Sequence, residues 1–137
     1  MSAAATKSSG RPTRVLVVDD DAGVRNFLRM LLELEGYVVA TVGNGIEALE
    51  SQRQDPAAIV LTDIFMPEGE GMETIVQLRT EFPEVSIIVM SGGGSYRGVD
   101  YLQLARELGA ARALKKPFAP QDLIDAMREV AGTQSPA

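Results

Sequence analysis

Residues 14–21, RVLVVDDD, place three consecutive acids, Asp19, Asp20 and Asp21, directly after a short apolar run. The valines and leucine favour a strand, whereas aspartate disfavours strands and brings charge to the edge of a dry interior. The stretch therefore predicts a buried strand that ends at a concentration of negative charge. The role of these three aspartates depends on which residues the rest of the chain brings near them.

The composition of the chain is that of one compact domain. Its 137 residues are 45% hydrophobic, and its formal net charge of −6 argues against broad contact with nucleic acid or with an anionic membrane surface. The sequence contains no Cys and no His, which excludes disulfides, thiolate chemistry and imidazole ligands. No apolar run is long enough to cross a membrane, and residues 1–14 lack the apolar core of a secretory signal. A cytoplasmic location is expected.

Strand and helix patterns alternate along the chain. Short apolar or β-branched runs predict strands at residues 14–18, 37–41, 57–62, 86–90 and 112–114. Apolar residues three or four apart predict the intervening helices: Val24, Phe27, Leu28, Leu31 and Leu34; Ile46 and Leu49; Met72, Ile75 and Leu78; Leu102, Ala105 and Leu108; Leu123, Met127 and Val130. Gly36 and Gly109 are predicted to end two of these helices with positive φ. The alternation predicts an α/β fold, a parallel sheet with helices on both faces.

The predicted domain covers residues 14–131. Residues 1–13 are rich in Ser, Ala, Thr, Gly and Pro without a periodic pattern, and residues 132–137 have a similar composition. Such segments do not bury enough apolar surface to fold. We therefore expect a disordered N-terminal tail and a short C-terminal tail.

Polar side chains stand at the carboxyl ends of four predicted strands. Asp19 and Asp20 follow the first strand, Asp63 the third, Ser91 the fourth and Lys116 the fifth. In an open parallel sheet, ligands bind beyond these ends, where the strand order reverses. Taken singly, Asp63 could open a turn, Ser91 could cap a loop and Lys116 could be a solvated charge. Together they predict one site, and carboxylates brought together from different strands repel one another unless a cation compensates.

A hard divalent cation suits these acids. Mg²⁺ takes oxygen ligands at roughly 2.1 Å and typically uses one or two carboxylates together with a phosphate, a demand that Asp20 and Asp63 meet. No calcium loop is recognisable, and a structural zinc site is not expected without His or Cys. Lys116 and Ser91 would then be donors to the oxygens of a phosphoryl group. Asp21 or one of its neighbours could instead cap the following helix, as an aspartate after a strand commonly does.

The motifs VLVVDDD, LTDIFMPEGEGME, IIVMSGGG and KKPF occur in this order, and GNGIEAL supports them. With these motifs the sequence resembles the receiver domain of two-component response regulators over residues 14–131. The resemblance implies a five-stranded, doubly wound parallel sheet with the flavodoxin-like strand order 2-1-3-4-5. This order follows from the family and not from the residue patterns.

The resemblance also implies a role for each residue of the predicted site. Asp63 would accept a phosphoryl group from a phosphohistidine on a histidine kinase or a histidine phosphotransfer protein. Ser91 and Lys116 would bind the phosphoryl oxygens, and the Lys116–Pro117 bond would be cis. The implied Mg²⁺ ligands are Asp20 and Asp63 directly, Asp19 through water, and Phe65 through its backbone carbonyl.

Two features depart from the family pattern. Ala113 stands three residues before Lys116, where many receivers carry an aromatic side chain that rotates on phosphorylation. After Ser91 the chain reads GGGSYRGVDYLQ, a glycine-rich and lengthened loop. Because glycine is costly to order, we expect this loop to be mobile before phosphorylation.

The expected function is phosphorelay signalling by a stand-alone receiver. It would act on an unknown downstream protein, without nucleic acid or membrane contact, and would catalyse only its own phosphorylation and dephosphorylation. One alternative is a pseudo-receiver adaptor that docks without phosphorylation. Another is an aspartate-dependent phosphatase of the haloacid dehalogenase type, in which Asp19 and Asp21 have the required spacing. The phosphatase leaves Asp63 and Lys116 unexplained.

Overall fold

The computed structural model describes residues 12–64, 70–92, 95–96 and 98–133. Within them the helices and strands follow one another along the chain: β1 (Arg14–Val18), α1 (Ala22–Leu34), β2 (Val38–Val42), α2 (Gly45–Gln54), β3 (Ile59–Asp63), α3 (Glu70–Glu81), β4 (Ser86–Ser91), β5 (Ser95–Tyr96), β6 (Val99–Asp100), α4 (Tyr101–Glu107), β7 (Arg112–Lys115) and α5 (Pro120–Thr133). None of the helices in this part of the chain is long and apolar enough to span a membrane.

Five strands form one parallel sheet in the order β2-β1-β3-β4-β7. β7 is the fifth parallel strand, so the predicted order 2-1-3-4-5 is confirmed. β1 lies inside the sheet, where Val18 pairs with Val42 of β2 on one side and with Thr62 of β3 on the other. The carboxyl ends of the parallel strands consequently meet at one edge of the sheet, and the order reverses between β1 and β3.

The core consists of two apolar layers, one on each face of the sheet. Val15 and Val17 of β1 pack with buried residues of α1 and α5, whereas Leu16 and Val18 pack with buried residues of α2, α3 and α4. Successive residues of a strand point to opposite faces, so an uninterrupted apolar strand supplies both layers. This explains why the run before Asp19 shows no polar alternation.

The apolar spacing predicted the helices correctly but not which of its members are buried. In α1, Leu28 and Leu32 are buried, whereas Phe27 is 47% and Leu34 is 76% exposed. Ile46 of α2 is 69% exposed. A helix has more than one set of residues spaced by three or four, and only the packing against the sheet decides which set faces inward.

The helix ends follow local rules. Asp21 caps α1 and Asn44 caps α2, since each side chain accepts a hydrogen bond from the backbone N–H three residues later. The Glu47 carboxylate also accepts a hydrogen bond from the backbone N–H of Gly43, the residue before the cap, at 2.9 Å. Gly36 and Gly109 have φ of 96° and 113°, which confirms their prediction as helix stops.

Gly45 of α2 and Gly71 of α3 stand where neighbouring atoms leave no room for a Cβ. A Cβ added to Gly45 of α2 would lie 2.0 Å from Thr74 Oγ1 of α3. A Cβ added to Gly71 would lie 2.6 Å from the carbonyl oxygen of Ile64, the residue after Asp63. The absence of side chains at these positions therefore lets α3 pack against α2 and against the end of β3.

The segment after β4, predicted as a glycine-rich and lengthened loop, contains two short strands among its described residues. Strands β5 and β6 pair antiparallel as a small hairpin, with Ser95 opposite Asp100. Asp100 then caps the seven-residue helix α4 by accepting hydrogen bonds from the N–H groups of Leu102 and Gln103. Gly93, Gly94 and Arg97 of the predicted loop lie outside the described residues. The predicted mobility of the loop stays a prediction.

The described residues reach slightly past both predicted domain limits. Thr13 is buried, and its carbonyl accepts a hydrogen bond from the Val38 N–H at 3.0 Å. α5 continues to Thr133, beyond the predicted end at residue 131. The other residues of the two predicted tails, 1–11 and 134–137, lie outside the described part of the chain.

Candidate functional site

The structure brings the predicted polar residues to one rim of the sheet. Asp19 directly follows β1, Asp63 ends β3, Ser91 ends β4 and Lys116 directly follows β7. Asp19, Asp63 and Ser91 are buried, Lys116 is partly buried and Asp20 is exposed. The buried residues are fixed by the sheet, whereas Asp20 stands at the solvent side of the rim.

Three carboxylates form an acidic cluster at this rim. Asp19, Asp20 and Asp63 each contribute one carboxylate oxygen, and these three atoms lie within 4.8 Å of one another. Lys116 Nζ donates a hydrogen bond to Asp63 Oδ2 at 3.1 Å and lies 3.6 Å from Asp19 Oδ2. The ammonium group thus pairs with two of the acids, and the cluster with this lysine carries an excess of negative charge when ionised.

Asp19 is the most constrained of the acids. Its Oδ1 accepts a hydrogen bond from the backbone N–H of Asp21 at 2.9 Å. Its Oδ2 is buried and has no hydrogen-bond partner in the described part of the chain. Burial raises the pKa of the Asp19 carboxyl, the charges of Asp63 and Asp20 add to this rise, and the Asp21 amide and Lys116 oppose it. The ionised carboxylate is therefore short of positive charge.

The loop after β1 is held by α1. Asp21 caps this helix, a role that the sequence left open for Asp21 or one of its neighbours. Arg25, in the first turn of α1, donates a hydrogen bond from Nη1 to the backbone carbonyl of Asp19 at 2.7 Å. Sequence reasoning did not single out Arg25, because a hydrogen bond from a side chain to a distant backbone carbonyl leaves no recognisable spacing.

Lys116 is positioned by the backbone of the neighbouring strand. Its N–H donates a hydrogen bond to the carbonyl of Ser91 at 2.6 Å, and the Lys116–Pro117 bond is cis, as the resemblance implies. The preceding Lys115 is exposed. Phe65, whose carbonyl is an implied metal ligand, lies outside the described residues.

Comparison with known proteins identifies the family. The Response regulator receiver domain family matches residues 15–128, which include the whole acidic cluster and Lys116. The chain belongs to this family.

Curated relatives of this receiver domain are longer proteins. The chain is 40% identical over 116 residues to the response regulator MprA of Mycobacterium ulcerans, a match that covers 84% of the chain and 48% of that protein. It is 38% identical over 110 residues to the transcriptional regulatory protein ZraR of Klebsiella oxytoca, covering 80% of the chain and 24% of that protein. The chain therefore spans about half or less of the length of these relatives.

Solved receiver structures share the fold over most of the chain. A CheY-like receiver domain protein from Methanospirillum hungatei superimposes with a TM-score of 0.80 at 28% identity, covering 89% of this chain and 95% of that one. The response regulator TrrA of Thermotoga maritima, solved in complex with Mg²⁺ and BeF, gives a TM-score of 0.74 at 30% identity, covering 86% of this chain and 98% of that one.

Receiver domains bind Mg²⁺ at an acidic pocket, and the residues of this receiver fit such an ion. Asp20 and Asp63 provide carboxylate oxygens, the donor type that Mg²⁺ prefers. The buried Asp19 Oδ2, which lacks a hydrogen-bond partner in the described residues, provides a third acceptor at the same place.

An apolar groove of about 460 Å³ adjoins the acidic cluster of the receiver. It is lined by residues of α1, β4 and the segment after β7: Val24, Phe27, Leu28, Met90, Lys116, Pro117 and Phe118. Another groove, of about 440 Å³, is lined by residues between 52 and 85, none of which belongs to the acidic cluster. The groove beside α1 places an apolar surface next to Lys116.

Proposed function

We propose that this receiver domain takes part in a phosphorelay, with Asp63 as the residue that accepts the phosphoryl group. The donor would be a histidine kinase or a histidine phosphotransfer protein, and transfer would require Mg²⁺. The observation that carries the proposal is the position of Asp63, whose carboxylate lies within the acidic cluster and 3.1 Å from Lys116 Nζ. The TrrA relative solved with Mg²⁺ and BeF supports the same site.

In the proposed reaction, a carboxylate oxygen of Asp63 attacks the phosphorus atom of the donor phosphohistidine. A carboxylate O–P bond forms, the N–P bond breaks, and the imidazole leaves with the electrons of that bond. Lys116 would neutralise the phosphoryl oxygens, and the Ser91 hydroxyl would donate a hydrogen bond to one of them.

The metal would be held by the three clustered acids together with Phe65. Asp20 and Asp63 would bind it directly, Asp19 through water and Phe65 through its backbone carbonyl. When bound, Mg²⁺ supplies positive charge that stabilises the oxygens of the phosphoryl group during transfer. Asp19 is suited to a water-mediated contact because it lies deeper than Asp20: it is 1% exposed, whereas Asp20 is exposed.

The groove beside α1 supports a protein as the phosphoryl donor. Phe27 is 47% exposed at its wall, although the side chain is large and apolar. A partner that buries Phe27 would gain roughly 1 kcal/mol or more from the apolar area removed from water. Lys116 lines the same groove, so a partner seated there would lie next to the proposed site.

Signalling would proceed through contact with a downstream protein. Receiver domains are in general signalling modules and not enzymes, and we propose that this one catalyses only its own phosphorylation and dephosphorylation. The net charge of −6 supports a protein target over nucleic acid or membrane. The prediction of no nucleic-acid contact concerns this chain and not the longer transcriptional regulatory relatives. A cytoplasmic location is likewise part of the proposal.

Intact-mass measurement after incubation with acetyl phosphate tests the assignment. Wild type should gain one phosphoryl mass in Mg²⁺ and lose the gain in chelator, whereas Asp63→Asn should show no gain. Asp125→Asn is a matched control, because Asp125 is an exposed acid on α5 that pairs with Gln121 and lies outside the cluster. Equal phosphorylation of Asp63→Asn and wild type would refute the assignment of Asp63 as the phosphoacceptor.

A failure of wild type to accept the phosphoryl group would instead support the pseudo-receiver alternative. The acyl phosphate should also be cleaved by hydroxylamine, since a carboxylate–phosphate anhydride reacts with this nucleophile and a phosphoserine ester does not. Loss of the added mass on hydroxylamine treatment therefore separates Asp63 from Ser91 as the modified residue.

A further inference from the structure

Arg25 connects α1 to the loop that carries two of the three clustered acids. Its Nη1 donates a hydrogen bond to the backbone carbonyl of Asp19 at 2.7 Å, and the residue is partly buried. The same Nη1 also lies close to the loop after β2, since a Cβ added to Gly43 would lie 3.5 Å from it. Arg25 is thus packed between the loop after β1 and the loop after β2.

The carbonyl that Arg25 binds belongs to the peptide unit joining Asp19 to Asp20. The N–H of Asp19 is held by the carbonyl of Val42 at 3.2 Å, so the sheet fixes the peptide unit before Asp19. The following unit lies past the last paired residue of β1, and Arg25 supplies its hydrogen bond. The orientation of this unit determines the direction in which the Cα of Asp20 presents its side chain.

Asp20 has no other fixed support in the described part of the chain. It is exposed, and no described residue forms a hydrogen bond or ion pair with its carboxylate. Asp19, in contrast, is buried and bonded through Oδ1. A metal ligand without side-chain partners depends on its backbone for orientation, and Arg25 holds that backbone.

We infer that Arg25 is a positioning residue for the Mg²⁺ site. It contacts neither the metal nor the phosphoryl group, and it acts by fixing the Asp19–Asp20 peptide unit so that the Asp20 carboxylate points into the acidic cluster. This inference rests on the proposed metal site. Partners that orient metal ligands typically account for about 10–100-fold in metal affinity.

A purely electrostatic role of Arg25 predicts the opposite sign. A guanidinium close to the site repels a divalent cation, so its removal should tighten Mg²⁺ binding if charge alone mattered. Loss of orientation should weaken binding. The direction of the change in Mg²⁺ affinity therefore separates the two roles.

Residue-resolved NMR titration of the full chain with Mg²⁺ measures this affinity without phosphorylation. Arg25→Ala should raise the dissociation constant about tenfold, as read from the backbone amide shifts of Asp20 and its neighbours. Arg29→Ala is the matched control. Arg29 lies one turn further along α1, and its Nη2 donates a hydrogen bond to Thr41 Oγ1 of β2 at 3.0 Å, away from the cluster. Arg29→Ala should leave the dissociation constant within twofold of wild type.

The positioning role is overturned if Arg25→Ala binds Mg²⁺ as tightly as Arg29→Ala or more tightly. Should Arg25→Ala fail to fold, Arg25→Lys decides, since it keeps the charge but lacks the planar guanidinium. Weaker Mg²⁺ binding by Arg25→Lys than by Arg29→Ala supports positioning, and equal binding overturns it. A wild type without any Mg²⁺ response would refute the proposed metal site itself, together with this inference.

Discussion

Tyr37 has a hydroxyl group that the fold buries without a partner. The residue precedes β2, is 4% exposed and packs in the core layer formed with α1 and α5. Its hydroxyl oxygen has no hydrogen bond within the described residues. A buried polar group without a partner costs about 1–3 kcal/mol of folding free energy. Tyr37→Phe removes this group and keeps the ring, so the variant should be more stable than wild type by roughly that amount.

The same burial makes the effect depend on pH. Burial raises the pKa of Tyr37 from 10.0 to about 12, the charge of Glu35 adds to the rise, and Arg128 opposes it. The folded state holds the phenolic proton more tightly than the unfolded state, so this contribution to stability is fully present below pH 10 and is lost as the pH rises towards 12. With about 1.36 kcal/mol per pKa unit, the loss is roughly 1.4 kcal/mol at pH 11 and about 2.7 kcal/mol well above pH 12.

Urea unfolding at pH 8 and pH 11 measures both effects. The free energy of unfolding of Tyr37→Phe should exceed that of wild type at pH 8, and the difference should grow by about 1.4 kcal/mol at pH 11. Tyr101→Phe is the control, because Tyr101 is only partly buried at the start of α4. The chain has three Tyr and no Trp, so absorbance of tyrosinate near 295 nm follows the tyrosines directly. The step that titrates near pH 12 should disappear in Tyr37→Phe.

Two results would refute this reasoning. If Tyr37→Phe is less stable than wild type at pH 8, the hydroxyl makes a favourable bond, and its burial is not a cost. If the stability difference between the two proteins is the same at pH 8 and pH 11, the pKa of Tyr37 is not raised by folding.

Three further outcomes are expected. In metal-free buffer at pH 7, Asp19→Asn should raise the free energy of unfolding measured in urea, because burial raises the pKa of the Asp19 carboxyl and so disfavours its ionised form. The stability gained by Asp19→Asn should shrink as the pH falls towards 3.8. With Mg²⁺ present, wild type should be the more stable protein. Gly45→Ala should lower the free energy of unfolding by about 1–3 kcal/mol, since its Cβ would lie 2.0 Å from Thr74 Oγ1, and Thr74→Ala should recover part of the loss. Loading Asp63 with beryllofluoride, a phosphoryl mimic, should increase amide hydrogen-exchange protection at residues 91–101, and Ser91→Ala should remove most of the increase; equal exchange would place the switch elsewhere.

The inner strands of the sheet could be predicted from sequence because β1, β3 and β4 are buried on both faces. Such a strand must be apolar at consecutive positions, as in residues 14–18, and this leaves a local signal. The β5–β6 hairpin leaves no comparable signal, since each of its strands has two residues and shows no periodicity. The strand order came from the family resemblance, because local patterns do not state which strands are neighbours.

Burial was less predictable than secondary structure. The spacing of Phe27 and Leu34 is as helical as that of Leu28, yet Leu28 is 2% exposed and Leu34 is 76% exposed. Which side of α1 faces the sheet depends on how the helix packs against its neighbours in the folded chain. A residue pattern along α1 does not contain this information.

At the candidate site, the residues that meet could be predicted from sequence, but the contacts that hold them could not. That Asp19, Asp63 and Lys116 would meet followed from one rule, that parallel strands end at the same edge. How the acids are held did not follow, because Arg25 acts on a backbone carbonyl six positions earlier in the chain.

Without a bound metal, the clustered acids repel one another, and they differ in how easily they can move apart. Asp19 is buried with an Oδ2 that lacks a hydrogen-bond partner among the described residues, and Lys116 is shared between it and Asp63. The sheet and the bond from the Asp21 amide hold Asp19 in place, so the chain cannot relieve the repulsion by turning this acid to solvent without breaking them. Asp20 is the only member of the cluster that is exposed, and it can move outward at little cost. The affinity for a cation should therefore depend most on what keeps Asp20 turned inward, which is the backbone that Arg25 holds.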